Sequence, residues 1–320
     1  MYTLRFGLNG TAIEFSTDSK PLIEEVLTDF GRYETDLQPK GSMSILRSTD
    51  FPISVPEFAL RQSSVPPGAS IYISDYVIYL EEKANRIMRI DPEMIDITGF
   101  CHRPEEHSTF IRFSLKWMLI KAMEREGIAY IHGSGVKLGD ESYFFTGPTG
   151  FGKTRNLVNF LRHGGNLITD DTIFYSDGYV TPFQIRSKIL KDVLEYAPEL
   201  RAYTESSINI LDIGWIMDLT TLYPYEVEKL EPSKLFYIIP WNSSTTKIQK
   251  VKSKEMLSRL LGVYRNELNS SIWFKADRKT YEMTFKGYDN FVDKVECYNA
   301  YVGKDTEKAY MAMTGRYHDD

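Results

Sequence analysis

Apolar and polar residues alternate through Tyr2–Leu8 and Thr11–Ser16, and Asn9-Gly10 between them predicts a β-hairpin. The period then changes. Leu22, Ile23, Val26, Leu27 and Phe30 recur at helical spacing and predict a helix over Pro21–Phe30. Short apolar runs at Met43–Leu46, Ile71–Ile73, Val77–Leu80 and Ile87–Ile90 predict strands. Val55–Gly68, with Pro56, Pro66 and Pro67, predicts a loop. Gly, Pro and charged residues cluster at Gly99–His107. Ser108 then offers an N-cap for a long helix whose Phe110, Phe113, Trp117 and Ile120 form a core-facing stripe. That shift sets the expected boundary between a small α+β domain over residues 1–105 and a second domain over residues 106–320.

Beyond the helix, Ile128–Leu138 and Glu141–Thr146 flank Gly139-Asp140 and predict a second hairpin, whose second strand runs into a glycine-rich loop. Lys153–Leu161 predicts a helix with Leu157, Val158, Phe160 and Leu161 inward, ended by Gly164-Gly165. Asn166–Tyr175 predicts the next strand. Further on, Leu235–Ile239 and Val295–Val302 predict strands, Ser253–Leu261 a helix and Asp305–Met313 a closing helix. No internal repeat or low-complexity tract interrupts the pattern.

Composition narrows the classes. A chain of 320 residues that is 42% hydrophobic and 26% charged is not wholly disordered. With 38 Lys and Arg against 44 Asp and Glu, the net charge of −6 leaves no broad basic surface for nucleic acid or anionic membrane. Cys101 and Cys297 allow at most one disulfide and lack metal-type spacing, which fits a reducing compartment. The N-terminus carries charges and Gly where a signal peptide needs an apolar run, and no window approaches the ~20 apolar residues of a membrane span. A cytoplasmic, soluble protein is expected, with a homo-oligomer left open.

The chemistry concentrates at Gly147–Thr154, GPTGFGKT, a complete GxxxxGK[ST] motif. In such a loop Gly147, Pro148, Thr149, Gly150, Phe151 and Gly152 wrap the phosphates, and the backbone N–H groups of all but Pro148 can turn to phosphate oxygens. Lys153 reaches the β- and γ-phosphates, and the Thr154 hydroxyl joins a Mg²⁺ shell. The helix that starts at Lys153 turns its positive end to the same phosphates. One short helix later, Leu167–Thr169 ends in Asp170-Asp171, which should return beside the loop. There one carboxylate can hold Mg²⁺ and the other can accept a proton from an attacking hydroxyl. His132, in IHGSGV on the neighbouring strand of the hairpin, is placed to approach the γ-phosphate.

Taken in order, IHGSGV at 131–136, GPTGFGKT at 147–154 and LITDD at 167–171 resemble the HPr kinase/phosphorylase family, whose fold is related to phosphoenolpyruvate carboxykinase. The resemblance spans roughly residues 108–310 and is strongest over 128–175. It implies an α/β fold, with the small α+β domain followed by a mixed-sheet P-loop kinase domain. It also implies that Lys153 binds nucleotide phosphates, Thr154 and Asp171 ligate Mg²⁺, Asp170 is the catalytic carboxylate, and His132 contacts the transferred phosphoryl group. Arg186 or Lys188, in TPFQIRSKI (181–189), would add positive charge to the transition state. The family's Glu-x-Arg-Gly-x-Gly signature is absent; INILDIGWI (208–216) lacks its Arg and first Gly, and Arg155 stands where a small residue or Glu often follows. These departures set the chain apart from enzymes acting on HPr and nearer to shorter HPr-kinase-like proteins. The expected activity is ATP- and Mg²⁺-dependent phosphorylation of a hydroxyl, with GTP or ADP as alternative nucleotides. The acceptor would be a Ser of a peptide or protein. A small hydroxyl metabolite such as free serine, or a non-catalytic nucleotide-binding regulator, are the alternatives. Residues 1–105 could shape the acceptor site.

Overall fold

The computed structural model describes residues 1–57, 60–62, 69–74, 77–82, 86–205, 207–210, 213–270 and 278–316. It divides into two compact units, the first running from Met1 to Glu126 and the second holding Gly127–Ser270 with Arg278–Asp320.

In the first unit, β1 (Tyr2–Leu8) and β2 (Thr11–Thr17) form the expected antiparallel hairpin. Helix α1 (Lys20–Phe30) buries Leu22, Ile23, Val26 and Phe30, as its spacing predicts. It carries the chain to β3 (Pro39–Arg47), which is parallel to β2. Strands β4 (Leu60–Gln62), β5 (Ala69–Ser74), β6 (Val77–Glu82), β7 (Arg86–Asp91) and β8 (Asp96–Cys101) complete one mixed sheet in the order β1-β2-β3-β8-β7-β6-β5-β4.

Three details differ from expectation. Strand β4 lies inside the segment expected to be loop, while residues 58–59 and 63–68 of that segment lie outside the described residues. The run expected at Gly99–His107 begins within β8, where Gly99 lies beside the side chains of Ile45 and Met88. Helix α2 (Ser108–Arg125) buries far more than one stripe. Ile111, Leu115, Met118 and Met123 are inside as well as Trp117 and Ile120, and Phe113 is exposed. Because α2 packs on β2, β3 and α1, the division falls after Glu126 rather than near residue 105.

The second unit opens with β9 (Ala129–Ile131), β10 (Gly133–Leu138) and β11 (Glu141–Thr146), then α3 (Lys153–Arg162), β12 (Asn166–Thr169), β13 (Ile173–Ser176) and β14 (Tyr179–Thr181). Next come β15 (Ser187–Leu190), the single turn α4 (Val193–Tyr196), β16 (Ile208–Ile210), β17 (Gly214–Met217), β18 (Lys234–Pro240) and β19 (Lys247–Lys250). Helices α5 (Ser253–Ser270) and α6 (Arg278–Lys294), β20 (Glu296–Val302) and α7 (Thr306–Thr314) end the chain. The main sheet has the order β12-β10-β11-β18-β20-β19, with β11, β18 and β20 mutually parallel. Helix α3 covers it, with Phe160 fully buried against Tyr143, Phe145 and Tyr310. Burying one such ring contributes about 1.5–3 kcal/mol. Two small sheets, β14-β13-β9 and β15-β17-β16, stand beside it.

The segments 128–138 and 166–175, each expected as one strand, are both broken. The first breaks at His132 and the second at Asp170–Thr172. Cys101 and Cys297 are buried and form no disulfide with each other, and among the described residues no helix is long and apolar enough to cross a membrane.

Candidate functional site

The two breaks coincide. Strand β9 pairs with β13 (Ile131 opposite Ile173) and β10 pairs with β12 (Gly135 opposite Thr169), so both chains leave one sheet for another at the same level. This brings His132 beside Asp170 and Asp171 at the end of the sheet where β11 delivers the glycine-rich loop. Asp171 itself makes the turn, in the left-handed region at φ 74°. For a non-glycine residue that conformation costs about 1–3 kcal/mol and recurs at functional sites.

Three glycines of the loop, Gly147, Gly150 and Gly152, have positive φ. Gly147 has φ 145°, and a Cβ there would stand 3.1 Å from the Ile238 carbonyl oxygen of the adjacent strand. Gly152, with φ 91°, is the N-cap of α3. Pro148 and Phe151 are half-buried, whereas Thr149 and Gly150 are exposed at the crest. The Lys153 ammonium is buried and folded back, donating to the Gly147 carbonyl at 3.0 Å and the Pro148 carbonyl at 3.2 Å. Burial pushes its pKa below the ordinary lysine value, opposed by the charges of Asp171, Asp170 and Glu267.

Asp170 is buried under the loop. The hydroxyls of Ser134 and Thr154 both donate to its Oδ1, at 2.7 Å and 3.0 Å, and Ser187 adds a further hydrogen bond. Its backbone N–H donates to Gln184 Oε1 at 2.6 Å, while Gln184 Nε2 donates to Ser187 Oγ at 2.9 Å. Burial raises the Asp170 pKa above the usual carboxylate range. The neighbouring charge of Asp171 adds to this, and the three hydroxyl bonds oppose it. Asp171, by contrast, is 47% exposed, and its Oδ1 lies 3.1 Å from Nδ1 of the buried His132. The Thr146 hydroxyl donates to the His132 carbonyl at 2.8 Å, tying the break to the strand before the loop.

Sequence reasoning placed Gly147–Thr154, His132, Asp170 and Asp171 together, and the structure brings them together. Arg186 is half-buried on the loop between β14 and β15. The contacts to Asp170 from that loop come from Gln184 and Ser187 on either side of it, and Lys188 points outward from β15. The search for chemistry missed Ser134, Gln184 and Glu267. Ser134 lies in the IHGSGV run, so its hydroxyl was legible as a neighbour of His132. Glu267 had no local signal. It lies on the part of α5 beyond Leu261, past the end of the expected helix, and its Oε1 accepts from the Thr149 hydroxyl at 3.3 Å.

Thr154 and Asp170 bring a hydroxyl and a carboxylate within hydrogen-bond distance, a pair that could contribute to a Mg²⁺ shell completed by phosphates and water. Among the described residues no cluster of three or more His, Cys, Asp or Glu could hold a metal alone.

No protein-family model matches the chain. A probable Xaa-Pro aminopeptidase P from Aspergillus clavatus is 29% identical over 125 residues, which is 38% of this chain and 18% of that protein. The chain thus spans under a fifth of that relative's length. The HPr(Ser) kinase/phosphatase from Coxiella burnetii aligns in three dimensions with a TM-score of 0.24 and 15% identity, over 44% of this chain and 97% of that one.

Proposed function

We propose that the second unit binds a nucleoside triphosphate, ATP in the first instance, and transfers its γ-phosphoryl group to an acceptor hydroxyl. The observation that carries this reading is the Thr154–Asp170 hydrogen bond at 3.0 Å. It joins a complete phosphate loop to an acidic pair, an arrangement that a merely glycine-rich turn has no reason to build. The triphosphate would lie along residues 147–154, accepting from loop N–H groups and from the first turn of α3. Lys153 would exchange its two carbonyl acceptors for phosphate oxygens. Mg²⁺, held by Thr154 and Asp170, would neutralise charge on the transferring group.

The acceptor oxygen forms a bond to the γ-phosphorus as the bond to the β-phosphate oxygen breaks, and the hydroxyl proton goes to a carboxylate. The exposures of the two aspartates favour Asp171 for that proton, because an acceptor can reach it while Asp170 is enclosed by hydroxyls. This reverses the division that the resemblance implied. His132 would hold the Asp171 carboxylate in place and face the phosphoryl group.

The acceptor would be a Ser of a peptide or protein. A small hydroxyl metabolite, or binding without transfer, are the outcomes that displace it. Incubating the full chain with [γ-³²P]ATP, Mg²⁺ and candidate acceptors tests the reading. Labelled acceptor is expected, whereas binding with no labelled acceptor and slow release of phosphate leaves a nucleotide-dependent regulator. Asp171→Asn should lower transfer by roughly 10²–10⁴-fold with the Mg²⁺ requirement unchanged. Asp170→Asn should instead raise the Mg²⁺ concentration needed. The opposite pattern restores Asp170 as the base.

A further inference from the structure

Glu267 sits where a carboxylate is least expected in a polyphosphate site. Its Oε1 accepts from the hydroxyl of Thr149, on the crest of the loop, at 3.3 Å. The same oxygen lies 3.7 Å from Nε2 of His132. That nitrogen is buried and, among the described residues, has no hydrogen-bond partner within normal distance. The Glu267 side chain is itself 17% exposed, so its charge is largely withdrawn from water. Its field also reaches the Lys153 ammonium, where it favours the charged form together with Asp170 and Asp171. A loop hydroxyl and an ammonium are donors a terminal phosphate group would use, an imidazole with both nitrogens protonated adds a third, and all three groups lie near one carboxylate.

Building on the kinase reading, we infer that Glu267 is an internal stand-in for the terminal phosphate, a carboxylate that the incoming nucleotide must displace from the mouth of the phosphate loop. Helix α5 carries it there, on the turns beyond Gly262. Two anions cannot share these donors, because like charges a few ångströms apart in a partly buried site repel strongly. Displacing Glu267 therefore costs the first nucleotide part of its affinity. It also frees the Thr149 hydroxyl and uncovers His132 Nε2 for the phosphoryl group. The cost should be larger for a triphosphate than for a diphosphate, which leaves the terminal position empty.

Isothermal titration of the full chain with MgATP and MgADP tests this. Glu267→Gln keeps size and hydrogen bonding but removes the charge. MgATP should bind it roughly tenfold tighter than wild type, a fraction of the repulsion available at such separations. The gain for MgADP should be smaller. Glu267→Ala should show the same sign. Damage to the fold weakens binding, so a tighter complex is a readout that a structural role would not produce. If wild type binds MgATP and both variants bind it equally or less well, Glu267 is a support of the loop and the stand-in role falls while the kinase reading survives. If neither wild type nor variants bind any nucleotide, both fall together. Binding gained only on removing the charge upholds both.

Discussion

Each unit buries a charged pair of elements, and the two are built on opposite plans. In the first unit Arg112 of α2 meets Asp29 of α1 with two guanidinium nitrogens, both side chains almost wholly out of water. Each charge there answers the other, and the geometry is the fork-to-carboxylate pairing that holds helices in register. In the second unit Lys153 and Asp170 are just as buried, yet each is bonded to neutral groups: carbonyls for the lysine, hydroxyls for the aspartate. Their pKa values are displaced toward the neutral forms by burial. A charge matched by its opposite has finished its work in folding. One held against neutral dipoles keeps its field available for a ligand.

That contrast can be broken by mutation. The largest effect belongs to the first unit. Arg112→Ala strands Asp29 in the interior and should cost about 3–5 kcal/mol, read by chemical denaturation. Loss of affinity with little loss of stability would place Arg112 in the wrong category. Next comes Lys153→Ala, which should leave the melting temperature within a few degrees but weaken MgATP binding by about 100-fold or more. A large fall in stability with affinity intact would invert the comparison.

The smallest effect is the most diagnostic. The raised Asp170 pKa means that the folded chain holds this proton to higher pH than the unfolded chain, whose carboxylate ionises near 3.8. The stability that goes with it is fully present below that value and is lost as pH climbs through the folded pKa. Asp170→Asn should therefore stabilise the ligand-free protein more at pH 7 than at pH 4, by about 1 kcal/mol or a Tm rise of about 2–4 °C. Equal shifts at both pH values would show that the carboxylate is not strained by burial. If Asp170 holds Mg²⁺ as proposed, wild type should gain more stability than Asp170→Asn when Mg²⁺ and nucleotide are added, since metal binding needs the ionised form.

Much of this was legible along the chain. The hairpin at Asn9-Gly10, the helix over Pro21–Phe30, the loop GPTGFGKT and its helix all follow from local rules, because periodicity and glycine placement act over a few residues. Strand ends were less legible. In AYIHGSGV and NLITDDTIF the apolar residues on both sides read as single strands, and Gly133 and the pair Asp170-Asp171 are only weak signals of a break. The break arises because each segment must pair with two partners in two sheets, and pairing is a property of distant segments. Gln184 and Ser187 were hidden for the same reason. Their contacts to Asp170 depend on how β14 and β15 return.

The sequence by itself determined that a glycine-rich GxxxxGK[ST] loop, an acidic pair and a histidine exist in this order, because each is written in neighbouring residues whose backbone needs are local. Only the tertiary structure decided which aspartate is enclosed and which is open. It also decided that Glu267, more than a hundred residues beyond the loop, rests on Thr149 and faces His132. Burial and charge at a site are sums over everything that packs there, and no short stretch of chain carries that sum.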